Sequence, residues 1–162
     1  MSSFDRRSLL ILPLALAACG FQPAYGPGGP ARDLTGRISA ATPADKNGFD
    51  LVERLEERLG RPQAPRYDLA YAIRTVPVGV GITPDNAITR YNLTGEIDWT
   101  LTDRESGARV AGGTVSGFTS WSATGSTVAG LSAEEDAAYR LMRQLGDQIV
   151  AHILAASARF AQ

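Results

Sequence analysis

Between Arg90 and Thr102 apolar and polar residues alternate. Tyr91, Leu93, Ile97, Trp99 and Leu101 fall on one side, and Arg90, Asn92, Thr94, Glu96, Asp98, Thr100 and Thr102 on the other. Side chains alternate across a strand, so this pattern predicts a strand with one buried and one wet face. Tyr67–Thr75 repeats the pattern with large apolar residues at odd positions. Pro77 places an edge or bulge near its end, and Val78–Ile82 can continue it. Asp103–Gly107 reads as a hairpin loop, followed by a strand over 109–121. Val110 and Val115 are out of phase, which predicts a bulge near Gly112 and Gly113. A short first strand is expected over 34–39.

Two stretches carry the helical period instead. In 49–59, Val52, Leu55 and Leu59 form a stripe flanked by Phe49 and Leu51, while Glu53, Arg54, Glu56, Glu57 and Arg58 fill the other face. Asn47 is a candidate cap, Gly60 suits the C-terminus and Pro62 blocks continuation. Ser132-Ala133-Glu134-Glu135 reads as a capping box, opening a helix to about Ala156. Its stripe is Ala138, Leu141, Leu145, Ile149, Ile153 and Ala156, with Met142 and His152 beside it. Arg140, Arg143, Gln144, Asp147 and Gln148 are expected outside.

The order is therefore β-α-β-β-β-α. One-sided strands and two amphipathic helices predict a two-layer α+β sandwich, with both helices on one face of a roughly four-stranded sheet. The uncovered face would be the polar set headed by Arg90, Asn92 and Thr94.

The N-terminus obeys a different logic. Arg6 and Arg7 precede an apolar run, Leu9 to Ala18, broken only by Pro13 and too short to span a bilayer. Ala17 and Ala18 are small, and Cys19 follows at once. This stretch resembles a bacterial lipoprotein signal, which implies a diacylglycerol thioether and an acylated amine on Cys19. Each buried methylene contributes about 0.8 kcal/mol, so several chains hold stably where one holds marginally. Arg6–Leu10 also loosely resembles a twin-arginine export signal, although two arginines that merely supply basic lead are the favoured reading. Residues 22–30 are dense in proline and glycine. The expected division is a signal peptide over 1–18, a tether over 19–33, one domain over 34–157 and a tail over 158–162.

Composition narrows the function. The chain has 162 residues, and losing the first 18 leaves one-domain size. Cys19 is the only cysteine, so it serves something other than disulfide pairing. Formal charge is −1, which does not attract nucleic acid. Lys46 is the only lysine, and arginine is the better phosphate reader. One histidine leaves little for a metal site or a Ser-His pair, and Gly-x-Ser-x-Gly, His-Glu-x-x-His, Cys-x-x-Cys and P-loop motifs are absent. Gly79-Val80-Gly81 is only a fragment of a dinucleotide fingerprint. Glu134, Glu135 and Asp136 are expected in a first helical turn, where the helix dipole accounts for them. No enzyme, metal or cofactor is expected beyond the covalent lipid.

Three stretches carry a family resemblance. Cys19-Gly20-Phe21-Gln22-Pro23-Ala24-Tyr25-Gly26 is similar to the mature start of the LptE family of lipopolysaccharide-assembly lipoproteins. Tyr91–Gly95 leading into an alternating strand also resembles it. So does Ala133–Ala137 with Arg140, Leu145 and Asp147–Val150. The resemblance implies two helices on a four-stranded sheet and no enzymatic activity. It implies an outer-membrane site, a plug and assembly role inside the LptD β-barrel, and lipopolysaccharide binding. Gly20, where aspartate commonly retains lipoproteins at the inner membrane, agrees with that location. A barrel passing a charged glycolipid has a polar lumen, which suits a plug with a hydrogen-bonding face. Arg90 and Arg104 are the candidate lipopolysaccharide contacts. The competing readings are a generic envelope lipoprotein, adaptor or peptidoglycan binder, and a lipoprotein inhibitor of an envelope enzyme.

Overall fold

The computed structural model describes residue 26 and residues 29–123 and 126–160. The expected signal peptide, Cys19 and most of the expected tether lie outside the described residues. Helix α1 (Pro30–Leu34) leads to strand β1 (Ile38–Ala40) and helix α2 (Lys46–Leu59). Strands β2 (Tyr67–Ile82), β3 (Ile88–Asp103) and β4 (Arg109–Ser122) follow, then helix α3 (Thr127–Ala156) and a 3-10 turn (Ser157–Arg159). The sheet order is β1-β2-β3-β4, with β1 parallel to β2 and the other pairs antiparallel. A parallel pair needs a crossover connection, and α2 supplies it. Helix α3 lies on β3 and β4, with α2 packed against α3 and reaching β1. The architecture is the α+β two-layer sandwich that the pattern predicts.

Core residues come from the odd positions of β2 and β3, among them Tyr67, Leu69, Leu93, Ile97, Trp99 and Leu101. They meet Leu51, Leu55 and Leu59 of α2 and Leu141, Leu145, Ile149 and Ile153 of α3. Among the described residues, the buried hydrophobic ones lie between Ala31 and Ile153. Thr119 Oγ1 donates to the Ala137 carbonyl at 2.7 Å, tying β4 to α3 where neither is exposed.

The first strand is shorter than expected and is preceded by a helix. Pro30 fixes its backbone near helical φ, and Ala31 and Leu34, one turn apart, are both buried. Gly36 then turns the chain at φ +70°. The last residues assigned to the tether, from 30 on, therefore belong to α1. Asp45, not Asn47, caps α2: its Oδ1 accepts from the Gly48 N–H at 2.7 Å. The buried stripe of α2 is rotated from the expected one. Asp50, Leu51, Leu55 and Leu59 are buried, Val52 is half-buried, and Phe49 points to solvent. Buried Asp50 is held by Lys46 Nζ at 2.8 Å and 2.9 Å, one turn earlier.

The β4 bulge sits elsewhere than expected. Register runs unbroken through Gly112 and Gly113 and shifts between Leu101 and Thr102, where Val110 is the extra residue. Glycines at the core-facing positions 113 and 117 hide the alternation from the sequence.

Helix α3 begins six residues before the expected start. Ser126 is the cap, its Oγ accepting from the Ala129 N–H at 3.3 Å, and Ser132 lies inside the helix. Glu134, Glu135 and Asp136 are consequently past the first turn, so the helix dipole does not account for them; Asp136 instead pairs with Arg140 at 2.8 Å. Helix α3 buries a second stripe, Met142, Gly146 and Val150, because it faces both the sheet and α2. Ala137 is the buried alanine and Ala138 only half-buried. His152 is exposed.

Candidate functional site: the uncovered face of the sheet

Even-numbered residues of β2, β3 and β4 point away from the helices, and three rows decide the character of that face. In the first, Arg74 of β2 reaches across to β3. Its Nη2 donates to Asp98 Oδ2 at 2.8 Å and also to Glu96. Asp98 accepts a second bond from Thr114 Oγ1 of β4 at 2.5 Å. Those two partners, Thr114 first and Arg74 second, hold the Asp98 carboxyl below the usual aspartate range. Both carboxylates raise the Arg74 guanidinium. The charges of this row are spent largely on one another.

The next row is apolar at both ends. Thr94 stands in register with Val76 on one side and Phe118 on the other, and its Oγ1 donates to the Val76 carbonyl at 3.0 Å. Val76 is 57% exposed and Phe118 60%. With Arg74, Glu96 and Ser116 they line a shallow hollow of about 500 Å³. In the third row Val78 flanks Asn92. Beyond it the β2–β3 hairpin runs past the end of β4, where Ser122 pairs with Arg90, and buries no residue from 79 to 90, so its tip extends past the core. Val80, Ile82 and Ile88 are exposed there. The face thus combines an internally paired charged patch with an apolar strip running onto a projecting hairpin.

Reading β3 alone predicts an evenly polar face and misses the neighbours. Arg74, Thr114, Val76, Val78 and Phe118 were not singled out by it. The available signal is in β2. Its apolar residues move from odd positions (67, 69, 71, 73) to even ones (76, 78), while the pairing register stays continuous from Tyr67 to Gly79. A change of apolar phase without a bulge transfers the apolar side to the opposite face.

The two candidate arginines do not converge. Arg90 lies near the base of the hairpin, paired in register with Gly81 and Ser122, and is exposed. Arg104 lies past the other end of β3. Its Nε and Nη2 donate to Asp68 Oδ1 at 2.9 Å and 2.6 Å, which raises the guanidinium pKa. About 40 Å of strand separates them. Cys19, the candidate lipid-bearing residue, lies outside the described residues.

Residues 35–153 match the LptE family, described as lipopolysaccharide-assembly. This chain belongs to the LptE family. The match spans β1 to the last turns of α3, the whole two-layer body. Solved structures share the LptE-like fold. A candidate lipoprotein from Caulobacter crescentus CB15 superposes with a TM-score of 0.68 at 21% identity, covering 83% of this chain and 99% of that one. Rare lipoprotein B from Shewanella oneidensis gives 0.58 at 11% identity, covering 78% and 98%. A minor lipoprotein from Acinetobacter baumannii gives 0.55 at 19%, covering 74% and 93%. No curated protein sequence matches this chain. Among the described residues no helix is long and apolar enough to cross a membrane.

Proposed function

We propose that this LptE-family chain is a non-enzymatic lipoprotein subunit of the outer-membrane lipopolysaccharide translocon. Cys19 carries the lipid anchor, no other cofactor is needed, and the folded body fills and helps assemble an LptD-type β-barrel. The observation that carries this reading is the uncovered sheet face. A plug must offer a broad folded surface that neither aggregates nor demands bulk water. Here Arg74 pairs within the sheet with both Glu96 and Asp98, leaving one net negative charge on the row, and Val76, Val78 and Phe118 provide exposed apolar area. Exposed apolar residues in a contiguous strip mark interaction sites.

Lipopolysaccharide presents phosphates, and a guanidinium fork suits them. Arg90 has no acidic partner among the described residues, whereas Arg104 is engaged by Asp68. Of the two candidates Arg90 is therefore the stronger contact, and Arg104 contributes less. The test is affinity purification through a tag at Gln162 from outer membranes of the native host. Capture of a heat-modifiable β-barrel of translocon size is expected. Capture of cell-wall enzymes or peptidoglycan alone, with no barrel, would overturn the proposal in favour of an envelope adaptor or inhibitor.

A further inference from the structure

The sheet has two open edges, and they are built differently. The Ala41 N–H donates to the Leu69 carbonyl at 2.8 Å, so the backbone groups of odd-numbered residues in β2 face β1. Successive residues of a strand point their backbone groups to opposite sides. Through the registers of β2 with β3 and of β3 with β4, the even-numbered residues of β4 from Gly112 to Ser120 therefore point theirs outward. Among the described residues no strand pairs with that side. Two side chains of α3 reach it: Gln148 Nε2 donates to the Ser116 carbonyl and Arg140 Nη2 to the Ser120 carbonyl, each at 3.3 Å. Phe118 lies between them, and its outward N–H and carbonyl have no partner among the described residues.

An open edge is a template for another strand, and natural sheets blunt it with proline, charge or a cover. Strand β2 is blunted in this way. Its pairing with β1 ends at Leu69, and on the stretch beyond stands Pro77, an odd-numbered residue whose missing N–H falls on the open side. The β4 stretch 111–122 contains no proline and no charged residue. Its two braces are long bonds, and each carbonyl can accept a second donor, so they leave the edge able to pair.

We infer that the open edge of β4 takes up an extended segment of the barrel partner as an added strand. The inference deepens the proposed function and rests on it for the identity of the partner. Edge and uncovered face are continuous: the Phe118 side chain stands on that face beside Thr94, while its backbone groups point off the edge. A segment paired there gains main-chain hydrogen bonds from the edge and a side-chain contact from Phe118, the former giving affinity and the latter specificity. A second copy of this chain is the poorer occupant. It would bring its own α3, with its own Arg140 and Gln148, over the same edge that these side chains already overhang. A lone extended segment carries no such layer.

The experiment uses the full chain, tagged at Gln162, expressed in the native host beside the untagged parent and recovered from outer membranes. Ser116→Pro and Ser120→Pro each delete one outward N–H and set a ring on the edge, while the pairing with β3 uses the other residues. Barrel capture is expected to fall at least about tenfold in the double proline variant. The double alanine variant at the same positions keeps both N–H groups and should capture as the parent does. Residue-resolved hydrogen exchange on the parent decides the matter if the proline variant melts early. The amides of Ser116, Phe118 and Ser120 should exchange at least about tenfold more slowly in the captured complex than in the isolated protein. Unchanged exchange at these amides would overturn the inference. So would equal capture by folded proline and alanine variants, or a dimer of this chain that the proline variant abolishes. Each of these leaves the plug reading intact, provided the parent still captures the barrel. A parent that captures no barrel overturns that reading and this inference together.

Discussion

Gly95 of β3 and Gly117 of β4 are register partners, and the missing side chains of this pair let helix α3 lie directly on the sheet. A Cβ on Gly95 would come within 2.8 Å of Leu141 Cδ2, and one on Gly117 within 2.8 Å of Gln144 Nε2. The two contacts differ in kind. Leu141 is fully buried and cannot retreat, whereas Gln144 is exposed and flexible. Gly95→Val should therefore destabilise the domain by about 1–3 kcal/mol, the range for overpacked cores, while Gly117→Ala should cost markedly less. Chemical denaturation of both variants checks this; equal losses would show that the helix does not rest on Gly95.

The two helices are also joined by charge. Arg54 of α2 donates from Nε and Nη2 to the two carboxylate oxygens of Asp147 on α3, at 3.0 Å and 2.8 Å. The same guanidinium bonds Glu57 at 2.7 Å, which in turn receives Arg143 of α3. Asp147 and Glu57 together push the Arg54 guanidinium up. Asp147 remains partly exposed, so solvent screens the pair. A double-mutant cycle of Arg54→Ala and Asp147→Ala is expected to give about 1 kcal/mol of coupling, near the top of the exposed-pair range because the geometry is bidentate. Additive losses would remove the pair from the stabilising contacts.

Several carboxylates are held below their ordinary range in the folded state. Asp103 is lowered first by the Ser106 backbone N–H and further by Arg66 and the Glu105 N–H. Glu57 is lowered by Arg54 and then Arg143, and Asp98 by Thr114 and then Arg74. A depressed folded pKa means stability that is complete above the unfolded value, near 4, and is lost as pH falls through the folded value. The melting temperature should be level from about pH 7 to pH 5 and fall steeply below about pH 4. Asp103→Asn should melt several degrees lower at pH 7 and show a shallower acid limb, since it has no such proton to take up. An acid limb identical to that of the parent would exclude Asp103 as a contributor.

For lipopolysaccharide, Arg90→Ala is expected to weaken binding to the purified protein severalfold, and Arg104→Ala to change it little, because Asp68 already occupies that guanidinium. Equilibrium binding of labelled lipopolysaccharide separates the two. Unchanged binding in both variants would remove these arginines from the site.

The fold was legible wherever side chains reported their surroundings. The alternation of 91–101 and the stripe of Leu141, Leu145, Ile149 and Ile153 lead straight to a strand and a helix with those buried faces. It became illegible where glycine replaced a reporter. Gly113 and Gly117 erase the core phase of β4, and the bulge is misplaced by that silence. Ser132 with Glu135 makes a convincing cap motif, yet the helix starts at Thr127, because Thr127–Leu131 propagate from an earlier cap at Ser126. The uncovered face was readable only in part. Its polar half follows from Arg90–Thr102, but its apolar strip comes from even positions of β2 and from Phe118, which only strand pairing brings beside Thr94. Family membership was legible from three stretches: Cys19–Gly26, nearly all of it outside the described residues, and the signals in β3 and α3, which the family match over 35–153 contains.

The central claim is that the uncovered face meets the barrel. Replacing Phe118 with a photoreactive phenylalanine analogue in the native host, and irradiating whole cells, tests it most directly. A crosslinked adduct with the translocon β-barrel is expected at Phe118, and none at Arg37, beside the start of β2 at the end opposite the hairpin. Adducts at Arg37 with none at Phe118 would contradict it.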